Sequence, residues 1–476
     1  MNWFSMLIVL SATCCVTAAQ PQPPNMVVIL VDDLRWDDLG CAGHPFSKTP
    51  HMDRIATEGA RFLNAFAVTP LCSPSRATLL TGLYPHTHGI TDNTDRSPQS
   101  HRLITFPQSL QRAGYQTAFV GKWHMGNDDS PRAGFDHWVC LKGQGSSFNA
   151  EMNIDGTVVQ TTGHVTDALH EQALGFLRKQ RTRPFLLYLA HKALHPETVQ
   201  RADGSLSDPN ASTFIPARRH EQLYSGVKVP RRQNARAPQN KPALERKIPG
   251  LPPLSANTGS SDDSILGRLR MLAGVDESLG GLLHWLDQSG ELDRTLIVVT
   301  SDHGYWYGEH GLSVERRLAY EEGIRIPLLM RLPALISPHS EPSQLALTLD
   351  LAPTLLNIAG AAPLPITQGR SLLPVLLGEA GEWRDDFLIE HFSDNVFPRT
   401  AGLGYQAIRS TTHKLIHYTD LTGIDELYNL ESDRYEMENL VNDPSAQAKL
   451  SEMRARLERL LDTSGYKNVN GLPPKG

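Results

Sequence analysis

Two short apolar runs, each ending in acidic residues, constrain the fold of this chain more than any other feature. Residues 26–31 are continuously apolar and largely β-branched, and an Asp-Asp pair follows at once. Residues 295–301 form a similar run, which ends in Asp-His-Gly. Such runs are typical of strands that are buried on both faces of a parallel sheet. In open α/β sheets the binding sites lie outside the carboxyl ends of the strands, so we expect these polar residues to meet at one edge.

Two further strands are predicted at residues 116–120 and 185–189, and each also leads into polar residues. Helical stretches alternate with the strands, for example at 167–180 and 264–289. The sequence therefore predicts an α/β fold with a large, mostly parallel sheet sandwiched by helices. The polar residues that follow the four strands are Asp32, Asp33, Lys122, His124, His191, His195, Asp302 and His303.

The chain divides into two predicted parts. Residues 24–370 carry the α/β pattern, interrupted by an irregular insertion at 200–261 that is rich in Pro, Arg, Asn and Ser. Residues 371–476 are predicted to form a smaller C-terminal α+β subdomain with an antiparallel sheet, including strands at 407–409 and 415–418 and a helix at 445–461.

The insertion is basic within an acidic protein. Residues 201–250 contain ten Lys and Arg against four Asp and Glu, whereas the whole chain of 476 residues has a net charge of −6. The insertion is therefore either a docking surface for an anionic substrate or a solvated loop. Its candidate docking residues are Arg218, Arg219, Arg231 and Arg232. Because the chain has no overall basic excess, we expect no nucleic-acid partner.

The N-terminus is typical of a targeting segment. Residues 1–19 contain a short apolar stretch that ends in small residues, with Ala18 and Ala19 as cleavage positions. We therefore expect a secreted or periplasmic protein, and we expect no membrane span because no later segment has about 20 uninterrupted apolar residues. The mature chain keeps Cys41, Cys72 and Cys140, an odd and widely spaced set that predicts neither a disulfide scaffold nor a zinc cluster.

Cys72 begins the densest motif, Cys-Ser-Pro-Ser-Arg, which runs to Arg76. A thiol at or near a helix N-terminus lies where the helix dipole favours an anion, and Arg76, one turn later, can point back toward it. The carboxylates of Asp32, Asp33 and Asp302 are hard oxygen ligands that suit Ca²⁺ or Mg²⁺. The alternative for the Asp-Asp pair is that it only caps a helix.

This motif, followed by Ala-x-Leu-x-Thr-Gly, resembles the signature of type I sulfatases, which belong to the alkaline phosphatase superfamily. The resemblance covers nearly the whole mature chain, because further blocks similar to those of the family occur in the family's order. It implies an alkaline-phosphatase-like fold. The blocks are residues 31–33, 121–126, 300–304, 308–311, 320–322, 350–354 and 426–430.

The resemblance also implies a mechanism. A formylglycine-generating enzyme would oxidise Cys72 to formylglycine, and the hydrate of that residue would attack the sulfur atom and expel the alcohol. The implied catalytic residues are Cys72, Arg76, Lys122, His124 and His195, and the implied substrate-binding residues are Lys122, His195 and Arg316. The implied metal is Ca²⁺ in preference to Mg²⁺, with Asp32, Asp33, Asp302, His303 and Cys72 as the metal residues.

Three positions need a choice or depart from the family pattern. Residue 303 is a His where the family commonly has an amide. His195, which precedes a Pro, matches the family's proton donor better than His191. The sulfate-binding Lys is replaced by Arg316 with Arg317 beside it, so either Arg316 binds the sulfate or Arg317 points in instead, and we expect Arg316.

The expected function is hydrolysis of sulfate esters in a sulfated carbohydrate. Blocks at 134–138, 148–149 and 153–156 are similar to glycan sulfatases of the glucosamine-6-sulfatase type. Two alternatives stay open: a phosphonate monoester or phosphodiester hydrolase of the same superfamily, and a non-catalytic glycan-binding homologue.

Overall fold

The computed structural model describes residues 23–201, 203–208 and 213–467, so the predicted signal peptide at 1–19 lies outside the described residues. The β-strands are β1 Asn25–Val31, β2 Ala60–Arg61, β3 Ala65–Phe66, β4 Gln116–Lys122, β5 His137–Leu141, β6 Glu151–Ile154, β7 Thr157–Gln160, β8 Phe185–His191, β9 Thr295–Ser301, β10 Leu328–Arg331, β11 Ala346–Leu347, β12 Asp386–His391, β13 Tyr405–Ser410, β14 His413–Tyr418 and β15 Asp425–Asn429. The α-helices are α1 Pro50–Thr57, α2 Cys72–Thr81, α3 Pro85–His88, α4 Ser97–Arg102, α5 Phe106–Arg112, α6 Val165–Leu177, α7 Pro242–Glu245, α8 Asp262–Gln288, α9 Glu321–Ile324, α10 Leu351–Ala359, α11 Leu373–Leu376 and α12 Gln447–Thr463.

A nine-stranded sheet organises the larger part of the chain, in the order β2-β10-β9-β1-β8-β4-β5-β6-β7. The five central strands, from β9 to β5, are parallel, and the antiparallel strands lie at the two edges. All four strands predicted for the large sheet belong to this parallel centre. Their carboxyl ends meet at one edge, because parallel neighbours run in the same direction.

Both faces of the sheet are covered, as the continuous apolar runs predicted. In β1 every residue is buried, with Val27 and Ile29 in one hydrophobic cluster and Val28 and Leu30 in another. Helices α1, α6 and α8 pack on the first side, and α2, α5 and α10 on the second. Each fully buried aliphatic side chain of this kind stabilises the fold by about 1.5–3 kcal/mol. The sheet is therefore a rigid support for the residues at its edge.

A hairpin extends the sheet at one edge. The turn between β6 and β7 has Asp155 at φ 51° and Gly156 at φ 92°, the two positive values that a type I′ turn requires. The block at 153–156, which resembles glycan sulfatases, therefore forms this turn.

The C-terminal part contains a four-stranded antiparallel sheet in the order β12-β13-β14-β15. Helix α12 packs on it through Leu450, Met453 and Leu457, which share one face of the helix. The larger sheet with its helices and this smaller sheet confirm the predicted fold class. The boundary at residues 370 and 371 stays a prediction.

The described part of the insertion contains a single α-helix, α7, and short 3₁₀ turns. Three of its four candidate arginines pair with carboxylates: Arg219 with Asp167 and Glu277, Arg231 with Asp262, and Arg232 with Asp37. These pairs neutralise much of the charge on which the docking hypothesis depends. Cys41, Cys72 and Cys140 are all free thiols. Among the described helices, none is long and apolar enough to cross a membrane.

Candidate active site

Cys72 is the first residue of helix α2 and is buried, with 1% of its surface exposed. Leu71, at the N-cap, has no side-chain oxygen to accept from the free backbone N–H groups of the first turn. A residue outside the helix accepts from one of them instead. The Asn93 side-chain oxygen accepts a hydrogen bond of 3.0 Å from the backbone N–H of Ser73. The N-terminus of α2 is thus fixed with its thiol facing the carboxyl edge of the sheet, where the helix dipole favours a negative charge.

Arg76 lies one turn along α2 and links the helix to the strand ends. Its Nε is 3.0 Å from Asp302 Oδ2, its Nη2 is 3.4 Å from Asp32 Oδ2, and its Nη1 donates to the carbonyl of Lys122 at 2.6 Å. Burial alone would lower the pKa of Arg76, but Asp302 and Asp32 raise it above its ordinary value. Arg76 is therefore a fixed positive charge between β1, β4 and β9.

The donor set fits a hard divalent cation. Asp32, Cys72, Asp302 and His303 offer ligand atoms that all lie within 4.8 Å of one another. Asp32 Oδ1 and both carboxylate oxygens of Asp33 are buried without a hydrogen-bond partner in the described part of the chain. Buried carboxylate oxygens left in this way are the ligands that Ca²⁺ prefers. Asp33 lies just outside the compact group of four.

The carboxylate of Asp33 contacts two cationic side chains instead. Its Oδ2 is 3.3 Å from Arg316 Nη1, and its Oδ1 is 3.4 Å from His303 Nδ1. His303 also approaches Cys72, with 3.4 Å between Nε2 and Sγ. The histidine that stands in place of the family's amide is thus in contact with both the thiol and the carboxylates.

Burial and neighbouring charges shift the pKa values of Asp32, Asp302 and His303 in different directions. Burial would raise the pKa of Asp32, but Lys122 and Arg76 hold it well below its usual range. Burial and the negative charge of Asp32 raise the pKa of Asp302. Burial would lower the pKa of His303, but Asp302 and Cys72 outweigh it and raise that pKa to about 9.

Lys122 is the last residue of β4 and His124 lies just after it, at the carboxyl end where the prediction placed both. Lys122 Nζ forms an ion pair with Asp32 Oδ2 in a fully buried position. His124 Nε2 contacts Gln200 Oε1, while its Nδ1 is buried without a partner among the described residues. Burial and the charge of Lys122 hold the pKa of His124 well below its ordinary value. His124 is therefore a neutral group whose free nitrogen is available for a ligand.

The two candidate histidines at the end of β8 and just beyond it differ in their surroundings. His195 Nδ1 lies 2.9 Å from the carbonyl of Pro196, and its Nε2 lies 3.3 Å from Arg316 Nη2. Neither ring nitrogen of His191 has a partner in the described part of the chain. Burial, Lys122 and Arg316 lower the pKa of His195 well below its ordinary value. The structure places His195 with the other site residues, whereas His191 is fully buried at the end of β8, near His170 and His164.

The consecutive residues Arg316 and Arg317 have different partners. Arg316 contacts Asp33 and His195, whereas Arg317 pairs with Asp394. Arg317 has a φ of 127°, which is rare for a residue with a side chain and helps to direct the two guanidinium groups to different partners. Arg316 therefore lies next to Asp33 and His195, whereas Arg317 points to a different partner.

Some residues that hold the site together were not singled out from the sequence. Gln200 Oε1 accepts hydrogen bonds from His124 Nε2 and, at 2.8 Å, from Gln144 Nε2. Gln200 Nε2 donates to the carbonyl of Asn93 at 2.8 Å. Arg268 of α8 donates to the backbone just beneath the site. Their partners are distant in sequence, so a single sequence carries no local signal for them.

Comparison with known proteins identifies the family that this chain is similar to. A protein-family model described as Sulfatase matches residues 24–361, and one described as N-sulphoglucosamine sulphohydrolase, C-terminal, matches residues 308–463. An N-acetylglucosamine-6-O-sulfatase of Bacteroides thetaiotaomicron is 31% identical over 514 residues, which cover 96% of this chain and 90% of that protein. The N-acetylglucosamine-6-sulfatase of Homo sapiens is 30% identical over 501 residues, which cover 94% and 86%.

A solved structure supports the same relationship. It is a complex with the substrate D-glucosamine-2-N,6-O-disulfate, and it superposes on this chain with a TM-score of 0.82 at 29% identity. The superposition covers 94% of this chain and 100% of that one. Together with the observed sheets, it confirms the predicted alkaline-phosphatase-like fold.

Proposed function

This chain belongs to the sulfatase family and is a sulfuric ester hydrolase, and we propose that it removes 6-O-sulfate groups from glucosamine units of a sulfated carbohydrate. The relatives support this substrate, since two are N-acetylglucosamine-6-sulfatases and a third was solved with a 6-O-sulfated glucosamine. We further propose that the protein is secreted or periplasmic, guided by a signal peptide at residues 1–19.

One observation carries the proposal: Cys72 opens a helix among cationic side chains and buried carboxylates. Arg76, Lys122, His303 and Arg316 each contact at least one of the site's carboxylates or the thiol itself. A sulfate ester needs a nucleophile, stabilisation of an anionic transition state and a proton for the departing alcohol. This group of residues can supply all three.

We propose that Cys72 is converted to formylglycine by a formylglycine-generating enzyme during maturation. The hydrate of that residue would supply a hydroxyl for attack on sulfur and a second hydroxyl whose collapse releases inorganic sulfate. Arg76 would hold this residue in place, since its guanidinium is already fixed by Asp302 and the carbonyl of Lys122.

We propose Ca²⁺, in preference to Mg²⁺, as the metal held by Asp32, Asp33, Asp302, His303 and residue 72. A divalent cation here would offset the mutual repulsion of the carboxylates and polarise a sulfate oxygen. The irregular, carboxylate-rich donor set suits the flexible coordination of Ca²⁺ better than the strict octahedron of Mg²⁺.

The remaining residues would handle the sulfate and the leaving group. Lys122 and Arg316 would bind sulfate oxygens, with Arg316 as a planar two-point donor where the family has a lysine, and His124 Nδ1 would accept from a hydroxyl of the formylglycine hydrate. The carbonyl of Pro196 accepts from Nδ1 of His195 and fixes the ring, so His195 would donate a proton from Nε2 to the leaving oxygen in its doubly protonated form, which the negative charge of a bound sulfate ester would favour. Arg316, which contacts Nε2, would bring the sulfate next to this proton donor.

The test is a comparison of substrates with the matured enzyme. Glucosamine 6-sulfate and N-acetylglucosamine 6-sulfate should be hydrolysed with a higher kcat/KM than matched phosphate monoesters, phosphodiesters or phosphonate monoesters. Faster cleavage of a phosphodiester or phosphonate would favour the other hydrolases of the superfamily. Glycan binding without turnover, unchanged in C72A, would favour a non-catalytic binding protein.

A further inference from the structure

Arg268 lies in the middle of α8, with its side chain beneath the carboxyl edge of the sheet and no exposed surface. Its Nη2 donates to the carbonyl of Asp33 at 2.5 Å, and its Nη1 donates to the carbonyl of Leu194 at 3.1 Å. Its guanidinium carbon also lies 3.8 Å from the centre of the Tyr305 ring. One side chain thus contacts the segments that follow β1, β8 and β9.

These three segments carry the proposed chemistry. Asp33 is a proposed metal ligand, Leu194 precedes the proposed proton donor His195, and Tyr305 lies two residues after His303. The Tyr305 ring also lies 5.5 Å from the guanidinium carbon of Arg316. Arg268 therefore contacts the immediate neighbours of the metal, proton-donor and sulfate-binding residues without belonging to any of those groups.

The surroundings of Arg268 are unusual for a buried charge. Its guanidinium contacts the two carbonyls and aromatic rings and forms no ion pair in the described part of the chain, although the nearby charges of Asp33 and Asp38 favour its charged form. Its Nε has no hydrogen-bond partner there either. The direct contacts of Arg268 thus hold two backbone carbonyls rather than a partner carboxylate, which points to a role in fixing that backbone.

The backbone that Arg268 holds needs an external restraint. Asp33 has a φ of 60°, in the left-handed region that residues with side chains seldom adopt. Backbone hydrogen bonds from Asp32 to Ala193 at 2.9 Å and from Leu194 to Asp32 at 2.7 Å join the same two segments. The Arg268 side chain links the same two segments, because it donates hydrogen bonds to the carbonyls of both Asp33 and Leu194.

We propose that Arg268 is a positioning residue for the active site: it holds Asp33 and His195 in the mutual arrangement that metal binding and proton donation require. This inference rests on the proposed function, because it assigns Arg268 a role toward that same metal and proton donor. Residues that orient metal ligands from outside the coordination sphere typically contribute tenfold or more to affinity or activity.

The experiment compares R268K, R268Q and Y305L with wild type and with R270K. Lys keeps the charge but cannot reach both carbonyls and the ring at once, and Gln loses the charge. The control lies on the same helix, where Arg270 donates to the carbonyl of Leu223 away from the site. Ca²⁺ affinity is measured by calorimetry, together with kcat, KM and thermal stability.

We expect R268K and R268Q to lower both Ca²⁺ affinity and kcat by about tenfold or more, with a smaller change in KM. Y305L, which leaves both carbonyl contacts in place, should show a smaller loss and keeps the test informative if R268Q does not fold. Wild-type Ca²⁺ affinity and kcat in R268K, with only thermal stability reduced, would overturn the inference. A wild-type enzyme that binds no Ca²⁺ would instead overturn the proposed metal site, and this inference with it.

Discussion

Arg316 Nη2 lies 3.3 Å from His195 Nε2, so the guanidinium proposed to bind sulfate contacts the ring proposed to protonate the leaving oxygen. Arg316 also reaches Asp33 through Nη1, at 3.3 Å. Its neighbour Arg317 pairs with Asp394 instead. Consecutive arginines therefore have different partners, and only the first joins the sulfate, proton-donor and metal residues.

Substitution of Arg316 and of Arg317, one at a time, should show which of the two binds the sulfate group. We expect R316A to lower kcat/KM for sulfate release by about 100- to 1000-fold, because it removes a donor from the developing anionic charge. R316K should recover part of the loss, since Lys restores the charge but not the planar donor pair. R317A is the matched control and should cost less. A larger loss in R317A than in R316A would identify Arg317 as the sulfate ligand.

His195 should matter most when the leaving group is poor. Loss of a general acid commonly costs about 100- to 10,000-fold, so H195A should lose activity strongly on a sugar sulfate. An activated aryl sulfate needs little protonation of its leaving oxygen, and its hydrolysis should be impaired less. The comparison is kcat for both substrates in H195A and in His191→Leu. Equal losses on the two substrates in H195A would contradict a role as proton donor.

Chelation should destabilise the protein as well as inactivate it. A ligand that binds only the folded state at about 100 times its Kd stabilises that state by about 2.7 kcal/mol. Addition of Ca²⁺ after EDTA treatment should therefore raise Tm and restore activity, with a smaller effect from Mg²⁺. D302N should lose the dependence of Tm on Ca²⁺, whereas D287N, on the exposed face of α8, should keep it. A Tm unaffected by Ca²⁺ in the wild type would argue against a metal at this site.

Buried His191 should make the protein sensitive to acid. Burial, together with the charges of His170 and His164, lowers the pKa of His191 to about 3. Its unfolded-state pKa is about 6.5. Because the unfolded state binds one more proton between these values, this stabilising contribution is present above pH 6.5 and is lost as the pH falls toward 3.

The variant His191→Leu should reduce the slope of unfolding free energy against pH by about 1.4 kcal/mol per pH unit between pH 6 and pH 4. Denaturant melts at several pH values measure this slope, and the exposed His284 provides the control His284→Leu. An unchanged slope in the His191 variant would show that the ring already titrates normally in the folded protein.

The central strands and the approximate position of the site were predictable because their signals are local. An apolar run predicts a buried strand, and the residue that follows the run is automatically at the carboxyl edge. Asp32, Lys122 and His303 could be placed near one another on this basis. The short strands of the C-terminal sheet gave weaker signals, and β12 and β15 were not predicted.

The supporting residues could not be predicted, because their contacts connect distant parts of the chain. Arg268 is 235 residues from Asp33 and 74 from Leu194, and Gln200 is 76 residues from His124. The choice between Arg316 and Arg317 also depends on tertiary structure, since backbone conformation and the position of Asp394 decide which guanidinium enters the site. From helical periodicity alone, Arg268 is only a charged residue among the apolar positions of α8, with no indication of its partners.

The central claim is that Cys72 becomes the nucleophilic residue of a sulfatase, and the mass of the peptide containing Cys72 tests it most directly. Because the thiol is buried in the folded protein, conversion must precede folding, so the chain should be co-expressed with a formylglycine-generating enzyme. We predict an aldehyde mass at residue 72 and sulfate release in proportion to the converted fraction. An unmodified thiol in a preparation that still releases sulfate at full rate would contradict the account.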